Sequence, residues 1–251
     1  MKLFSPHWRR SRDASLERRP EAAGQRQIMA SFYGSFVRPG DLCFDVGANT
    51  GNRTTVLLDL GARVICVEPQ PACVKKLKKI FGKNPAVTIV ETALGEKEGQ
   101  GELAICEQEP TISTMSTRWR QEGRFSGTHA WMPTVPVAVT TLDSLITHYG
   151  RPAFCKIDVE GFELAVLRGL SRPIPFISFE FTREFFMDAR GCLEHLASLG
   201  PVAFNVSLGE SMSLLWQDWV DKETLCENIE AQGDALLWGD IYAKFIGGEG
   251  Q

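Results

Sequence analysis

The seven residues Asp45-Val46-Gly47-Ala48-Asn49-Thr50-Gly51 restrict the possible folds of this chain more than any other segment. They follow the apolar run DLCFDV (41–46) and open the helix-length stretch NRTTVLLDL. Glycines at such a turn let the backbone bend sharply and approach a ligand with no Cβ in the way. The helix that follows begins with unpaired N–H donors. In an open α/β sheet this turn lies at the carboxyl ends of the strands, where ligands bind. The glycine spacing is GxxxG, not GxGxxG, and the GK[ST] ending of a phosphate loop is missing. A pyrophosphate cradle is therefore disfavoured, whereas the acidic residue ahead of the glycines suits a cationic group.

Six further apolar runs read as strands: RVICVE (63–68), VTIVETA (87–93), AFCKIDV (153–159), PFISFEF (175–181), VAFNVS (202–207) and DIYAKF (240–245). Helix-length segments lie between them, at PACVKKLKKIF, GFELAVLRGL and residues 183–199, with another expected over 21–37 and stopped by Pro39-Gly40. Strands alternating with helices imply βαβ units and a mostly parallel sheet. Strands that are apolar almost throughout imply helices on both faces. About sixty residues between VTIVETALG and AFCKIDVEG break the alternation. They hold two strand-like pieces, GELAICE and VPVAVTTL, around a polar loop from Pro110 to Pro133. We expect one domain over residues 26–247, with a β-hairpin insertion at about 99–140 that carries a cap facing the substrate.

Charge separates the chain into two parts. Residues 1–26 hold seven Lys/Arg against three Asp/Glu, or +4, so a total of -4 leaves -8 for the remainder. The first 25 residues read as a basic, solvated extension. The acidic body argues against a groove that tracks nucleic-acid phosphates. No stretch approaches the ~18 apolar residues of a membrane-spanning helix, and the N-terminus lacks a secretory h-region. A cytoplasmic protein with no membrane span and no nucleic-acid partner is expected. The seven cysteines include no CxxC pair, and four sit in strand-like runs, so they read as reduced core residues.

The second strand ends in Val67-Glu68-Pro69, seventeen residues beyond Gly51. A carboxylate at that strand tip can accept both hydroxyls of an adenosyl ribose. Together with the glycine turn it indicates a site for an adenosyl cofactor. The fourth strand carries Lys156, Asp158 and Glu160 at alternating positions, which face one side if the strand stays extended. Glu160 could instead cap the next helix. Ionisable residues in an apolar run need a reason. Glu180, in FISFEF, points to the same rim.

The ordered motifs DVGANTG, VEPQP, ETALGEKEG, VTTLDSL and KIDVEGFELAVLRGL resemble those of the FkbM family of S-adenosylmethionine-dependent methyltransferases. The resemblance runs from about Gly40 to Leu170 and continues weakly to residue 245, without covering residues 1–25 or Arg118–Trp131. It implies the Rossmann-like class I methyltransferase fold, a seven-stranded sheet whose last strand is antiparallel. It also implies that Asp45, Gly47, Asn49 and Gly51 hold the methionine part of S-adenosyl-L-methionine and Glu68 the ribose, with Thr92, Ala93 and Leu94 beside the adenine.

The implied reaction is O-methylation of a small-molecule acceptor, a sugar or a polyketide-type secondary metabolite. Asp158 is the candidate general base, with Lys156 and Glu160 beside it. Ser113, Trp119, His129, Trp131 and Glu180 are candidate substrate contacts. The sequence demands no metal, although Asp158, Glu160 and Glu180 could bind Mg²⁺ in a metal-assisted variant. Two alternatives remain at this point: a nicotinamide-dependent oxidoreductase on the same broad fold, and a non-catalytic binding module.

Overall fold

The computed structural model describes residues 20–247. The basic extension lies largely outside them, up to residue 19. In chain order the first half contains α1 (Pro20–Tyr33), β1 (Leu42–Val46), α2 (Asn52–Asp59), β2 (Arg63–Val67), α3 (Pro71–Phe81), β3 (Val87–Val90), β4 (Ala93–Leu94) and β5 (Gly99–Leu103). The second half contains α4 (Thr117–Glu122), β6 (Val135–Thr140), α5 (Leu142–Tyr149), β7 (Phe154–Ile157), α6 (Glu163–Arg168), β8 (Phe176–Thr182), α7 (Phe186–Leu199), β9 (Val202–Leu208), α8 (Lys222–Ala231) and β10 (Trp238–Phe245).

Seven strands form one sheet in the order β3-β2-β1-β7-β8-β10-β9. The first five run parallel, and β10 pairs antiparallel with both β8 and β9. This is the expected α/β architecture with its antiparallel last strand. Every residue of β1 and β7 is buried, which follows from the two apolar cores on opposite faces. Phe44 and Val46 of β1 join Leu145, Leu167, Leu193 and Ile229 in one core. Cys43 joins Tyr33, Leu57, Leu77 and Tyr242 in the other. Thus α5 to α8 cover one face and α1 to α3 the other. All seven cysteines are free thiols buried in the fold, and burial pushes Cys43, Cys66 and Cys73 up to about 12.

The insertion differs from a simple hairpin. β5 and β6 pair antiparallel as expected, but β4 adds to β6 in parallel and makes a three-stranded sheet. The run VTIVETA is therefore divided between two sheets. At the break, the Thr92 hydroxyl donates to the Ala138 carbonyl at 2.8 Å, which anchors the departing chain to β6. Helices α4, α5 and α8 were not expected. Each starts at a side-chain cap, with Ser116 accepting from Trp119 N, Thr141 from Ser144 N and Asp221 from Thr224 N.

Candidate active site

The turn after β1 is shaped by one close approach. Gly47 has φ +77°, and a Cβ there would stand 1.9 Å from the Asp158 carbonyl oxygen. Glycine is therefore required for the β1 turn and the end of β7 to lie against each other. Asn49 also takes a left-handed conformation, at φ 49°. Its backbone N–H donates to Glu68 Oε2 at 2.7 Å, while Gln70 N–H donates to Oε1 at 2.8 Å. Burial pushes the Glu68 carboxyl up to about 7, against the two backbone donors that favour its ionised form.

Gly47, Asn49, Glu68, Thr92, Ala93, Leu94, Asp158 and Glu160 all line one cavity at the carboxyl ends of β1, β2 and β7. The cap reaches over it through a 3-10 turn at Pro110–Ile112 and the residues after it. Ser113 accepts from Gln70 Nε2 at 3.2 Å and from Cys106 N–H at 3.2 Å. It therefore belongs to this first cavity. Thr114 Oγ1 donates to the Glu160 carbonyl at 2.7 Å.

Asp45 and Gly51 do not reach the cavity wall. Asp45 is 2% exposed and accepts from the Thr54 hydroxyl at 2.5 Å inside the fold. Burial raises its carboxyl above the usual range. Gly51 is the N-cap of α2 at φ 88°, and a Cβ there would meet the Phe81 ring at 2.3 Å. Both residues shape the turn from behind.

The alternation expected of Lys156, Asp158 and Glu160 ends with the strand. β7 stops at Ile157, and the chain then passes through a left-handed pair, Glu160 at φ 55° and Gly161 at φ 83°. Glu160 does not cap α6. That position belongs to Phe162, and the carboxylate accepting the turn's N–H groups is Glu163, from Val159 at 3.1 Å and Gly161 at 3.3 Å. Burial pushes Glu163 up to about 7. The turn nevertheless brings Asp158, Glu160 and Glu180 together, with one carboxylate oxygen of each within 4.8 Å of the others. These oxygens form a set that a hard divalent cation such as Mg²⁺ accepts.

Lys156 is buried behind this cluster. Its Nζ lies 2.8 Å from Asp240 Oδ1 and 3.9 Å from Asp158 Oδ2. Burial disfavours the ammonium, but the Asp240 and Asp158 carboxylates outweigh it and hold Lys156 above the ordinary lysine range. Strand register accounts for the closer pair: Lys156 is aligned with Ser178 of β8, which is opposite Tyr242, two residues from Asp240.

A second cavity lies beyond Gly161, between α4, α6 and the start of α7, and includes Trp119 and Glu180. Phe162 lines both cavities. His129 and Trp131 line neither. The His129 ring meets the Thr128 hydroxyl and the edge of Phe125. Sequence reasoning missed Gln70, Phe162, Glu163 and Thr182. Gln70 had a usable signal, as a polar residue just past the acidic strand tip. The others become neighbours only through the fold.

The profile of the methyltransferase FkbM domain matches residues 45–200. The hexuronic acid methyltransferase AglP of Haloferax volcanii is 25% identical over 143 residues, covering 55% of this chain and 54% of that protein. The chain thus spans about half the length of the curated relative it matches. Among solved structures, it is similar to precorrin-6y C5,15-methyltransferase from Geobacter metallireducens (12% identity, 94% of each chain, TM-score 0.47). It is also similar to Aeropyrum pernix fibrillarin, solved with bound S-adenosyl-L-methionine (10% identity, 86% of this chain and 74% of that one, TM-score 0.43).

Proposed function

The chain belongs to the FkbM methyltransferase family, and from that premise we propose that it transfers a methyl group from S-adenosylmethionine to a hydroxyl of a sugar-type or secondary-metabolite acceptor. The observation that carries this reading is the first cavity, whose lining combines the Glu68 carboxylate at the tip of β2 with Asp158 and Glu160 after β7. Its donor set fits the cofactor. Glu68, held by the Asn49 and Gln70 N–H groups, can accept the ribose hydroxyls. Ala93 and Leu94 provide an apolar wall for adenine, while Asp158 and Glu160 offset the positive sulfonium. Asp45 and Gly51 contribute by shaping the turn.

When bound, the cofactor supplies an electrophilic methyl group. The chain's own residues must align the acceptor oxygen and remove its proton. Asp158 is the base in this reading, because it lines the cavity beside the acidic cluster. Lys156 acts as a positioning residue: its closest carboxylate is Asp240 at 2.8 Å, and Asp158 lies within reach of its charge at 3.9 Å.

A second reading, in which Mg²⁺ assists, is favoured by the convergence of Asp158, Glu160 and Glu180. Turnover that survives EDTA excludes it. The oxidoreductase alternative is opposed by the GxxxG turn and by family membership, and the binding-module alternative by the intact Glu68 site. The supporting test is incubation with methyl-labelled S-adenosylmethionine and a panel of hydroxylated acceptors. Label is expected in a base-stable methyl ether. Label in a base-labile ester, or on nitrogen or carbon, refutes the hydroxyl assignment.

A further inference from the structure

The second cavity has features that the methyl-donor site does not use. Its aromatic wall comes from Trp119 of the cap helix, Phe162 and Phe185. Two polar atoms of its lining residues, Trp119 Nε1 and Thr182 Oγ1, are buried without a hydrogen-bond partner. The residues themselves are 2% and 6% exposed. Buried donors and acceptors in a folded protein are nearly always paired; such atoms also occur away from the cavities, at Tyr33 and Trp131, so these two carry weight only together with the aromatic wall and the Glu180 carboxylate, a lining that suits a ring bearing hydroxyl groups. The cavity meets the first one at Phe162 and at the carboxylates: Asp158 and Glu160 line the first, Glu180 lines the second, and their oxygens lie within 4.8 Å.

We propose that this second cavity receives the acceptor and that the acceptor is a polyhydroxylated ring. Its C–H face lies against Trp119 and Phe185, and its hydroxyls bond Trp119 Nε1, Thr182 Oγ1 and Glu180. The hydroxyl nearest Glu180 is then the one presented across the carboxylate cluster to the first cavity. In the transfer, the acceptor oxygen forms a bond to the methyl carbon as the carbon–sulfur bond breaks. That electron pair returns to sulfur, which changes from a sulfonium to a neutral thioether, and the hydroxyl proton passes to the Asp158 carboxylate.

The cap holds the wall in place. Trp119 lies on Gly161, where a Cβ would come within 3.0 Å of the indole. Arg124 pairs with Glu184 at 2.6 Å and Arg118 with Asp188 at 3.1 Å, joining the cap to the start of α7. These contacts place residues distant in sequence around one space.

The inference rests on the methyl-donor reading of the first cavity, and the test separates the two. S-adenosylhomocysteine binding is measured by calorimetry. Binding of methyl glycosides of a neutral hexose and of a hexuronic acid, with phenol and catechol as controls, is measured by saturation-transfer NMR. The wild type is compared with Thr182→Val and Trp119→Phe, which keep volume or aromaticity and delete one polar atom. Glycosides are expected to bind the wild type. Each substitution should weaken that binding about tenfold, with S-adenosylhomocysteine affinity changed less than about twofold. Glycoside binding insensitive to both substitutions, or binding of the phenols alone, overturns the acceptor site and leaves the methyl-donor reading intact. Absence of any glycoside signal also overturns it. Failure of the wild type to bind S-adenosylhomocysteine removes both readings together.

Discussion

The two cavities are built on opposite plans. The first has its floor in strand tips within the run 45–94 and in Asp158 and Glu160 after β7, with the cap contributing only the segment around Pro110–Met115, and its floor includes a turn at Gly47 that leaves no room for a Cβ. The second takes one wall from the cap, one from α6 and one from the end of β8 and the start of α7. Its cap side is held by ion pairs between partly exposed groups. A site for a constant group needs rigid geometry close to the sheet, whereas a site for a variable group can be formed by an insertion that changes without disturbing the sheet. Substitutions at Gly47 or Glu68 in the first region should therefore cost folding or donor binding, and those in the second should act mainly on the acceptor and leave donor binding unchanged.

The largest expected effect is at Gly47. Gly47→Ala places a Cβ against the Asp158 carbonyl in a left-handed conformation, and should lower stability by ~2 kcal/mol or more while abolishing donor binding. An unchanged thermal midpoint would contradict the close approach of β1 and β7. Next comes Glu68→Ala, which removes a charge-assisted acceptor and should weaken S-adenosylhomocysteine binding by ~1.5 to 3 kcal/mol. Unaltered affinity would take Glu68 out of the site.

A pH dependence of intermediate size follows from the same carboxylate. Glu68 sits near 7 in the folded chain, so its ionised, diol-accepting form grows between pH 6 and 8, and donor affinity should rise up to about tenfold across that range. Glu68→Gln should flatten the profile. Stability should move the other way. Glu68 and Glu163 are both raised from 4.5 to about 7, so the folded chain binds more protons than the unfolded one within that window. Their contribution to stability therefore falls as pH rises from 4.5 through 7. Glu163→Gln should remove part of that slope in thermal melts, and an unchanged slope would show that Glu163 does not contribute to it.

The smallest effect is expected in the cap. Arg124→Ala breaks a partly exposed pair with Glu184 and should cost under about 1 kcal/mol of stability. It should raise the acceptor KM and leave S-adenosylhomocysteine affinity unchanged. Equal loss of both would show that the two regions are not separable.

The contrast also explains how much could be read from sequence. The mostly parallel sheet was legible from the alternation of apolar runs and helix-length segments, the antiparallel last strand followed from the family resemblance, and the glycine turn and the acidic strand tip stood out as short local patterns, with Gly47, Asn49 and Glu68 at one cavity. The same patterns placed Asp45 and Gly51 at the ligand, since a motif reports that a turn is built without saying which of its side chains face inward. The alternation read into Lys156, Asp158 and Glu160 stopped at Ile157, because Glu160 and Gly161 take a left-handed turn that strand periodicity does not anticipate. His129 and Trp131 stood out only by their chemistry within a long loop, and neither lines the first or the second cavity. Thr182 and Phe162 could not be chosen at all, because their roles arise from the cap folding back onto α6 and β8.

Isothermal calorimetry with S-adenosylmethionine, S-adenosylhomocysteine and NAD(P) decides whether the first cavity is an adenosyl methyl-donor site. Saturable binding of both adenosyl ligands is expected, weakened in Glu68→Ala, with no binding of NAD(P). Binding of NAD(P) with no response to either adenosyl ligand would contradict it.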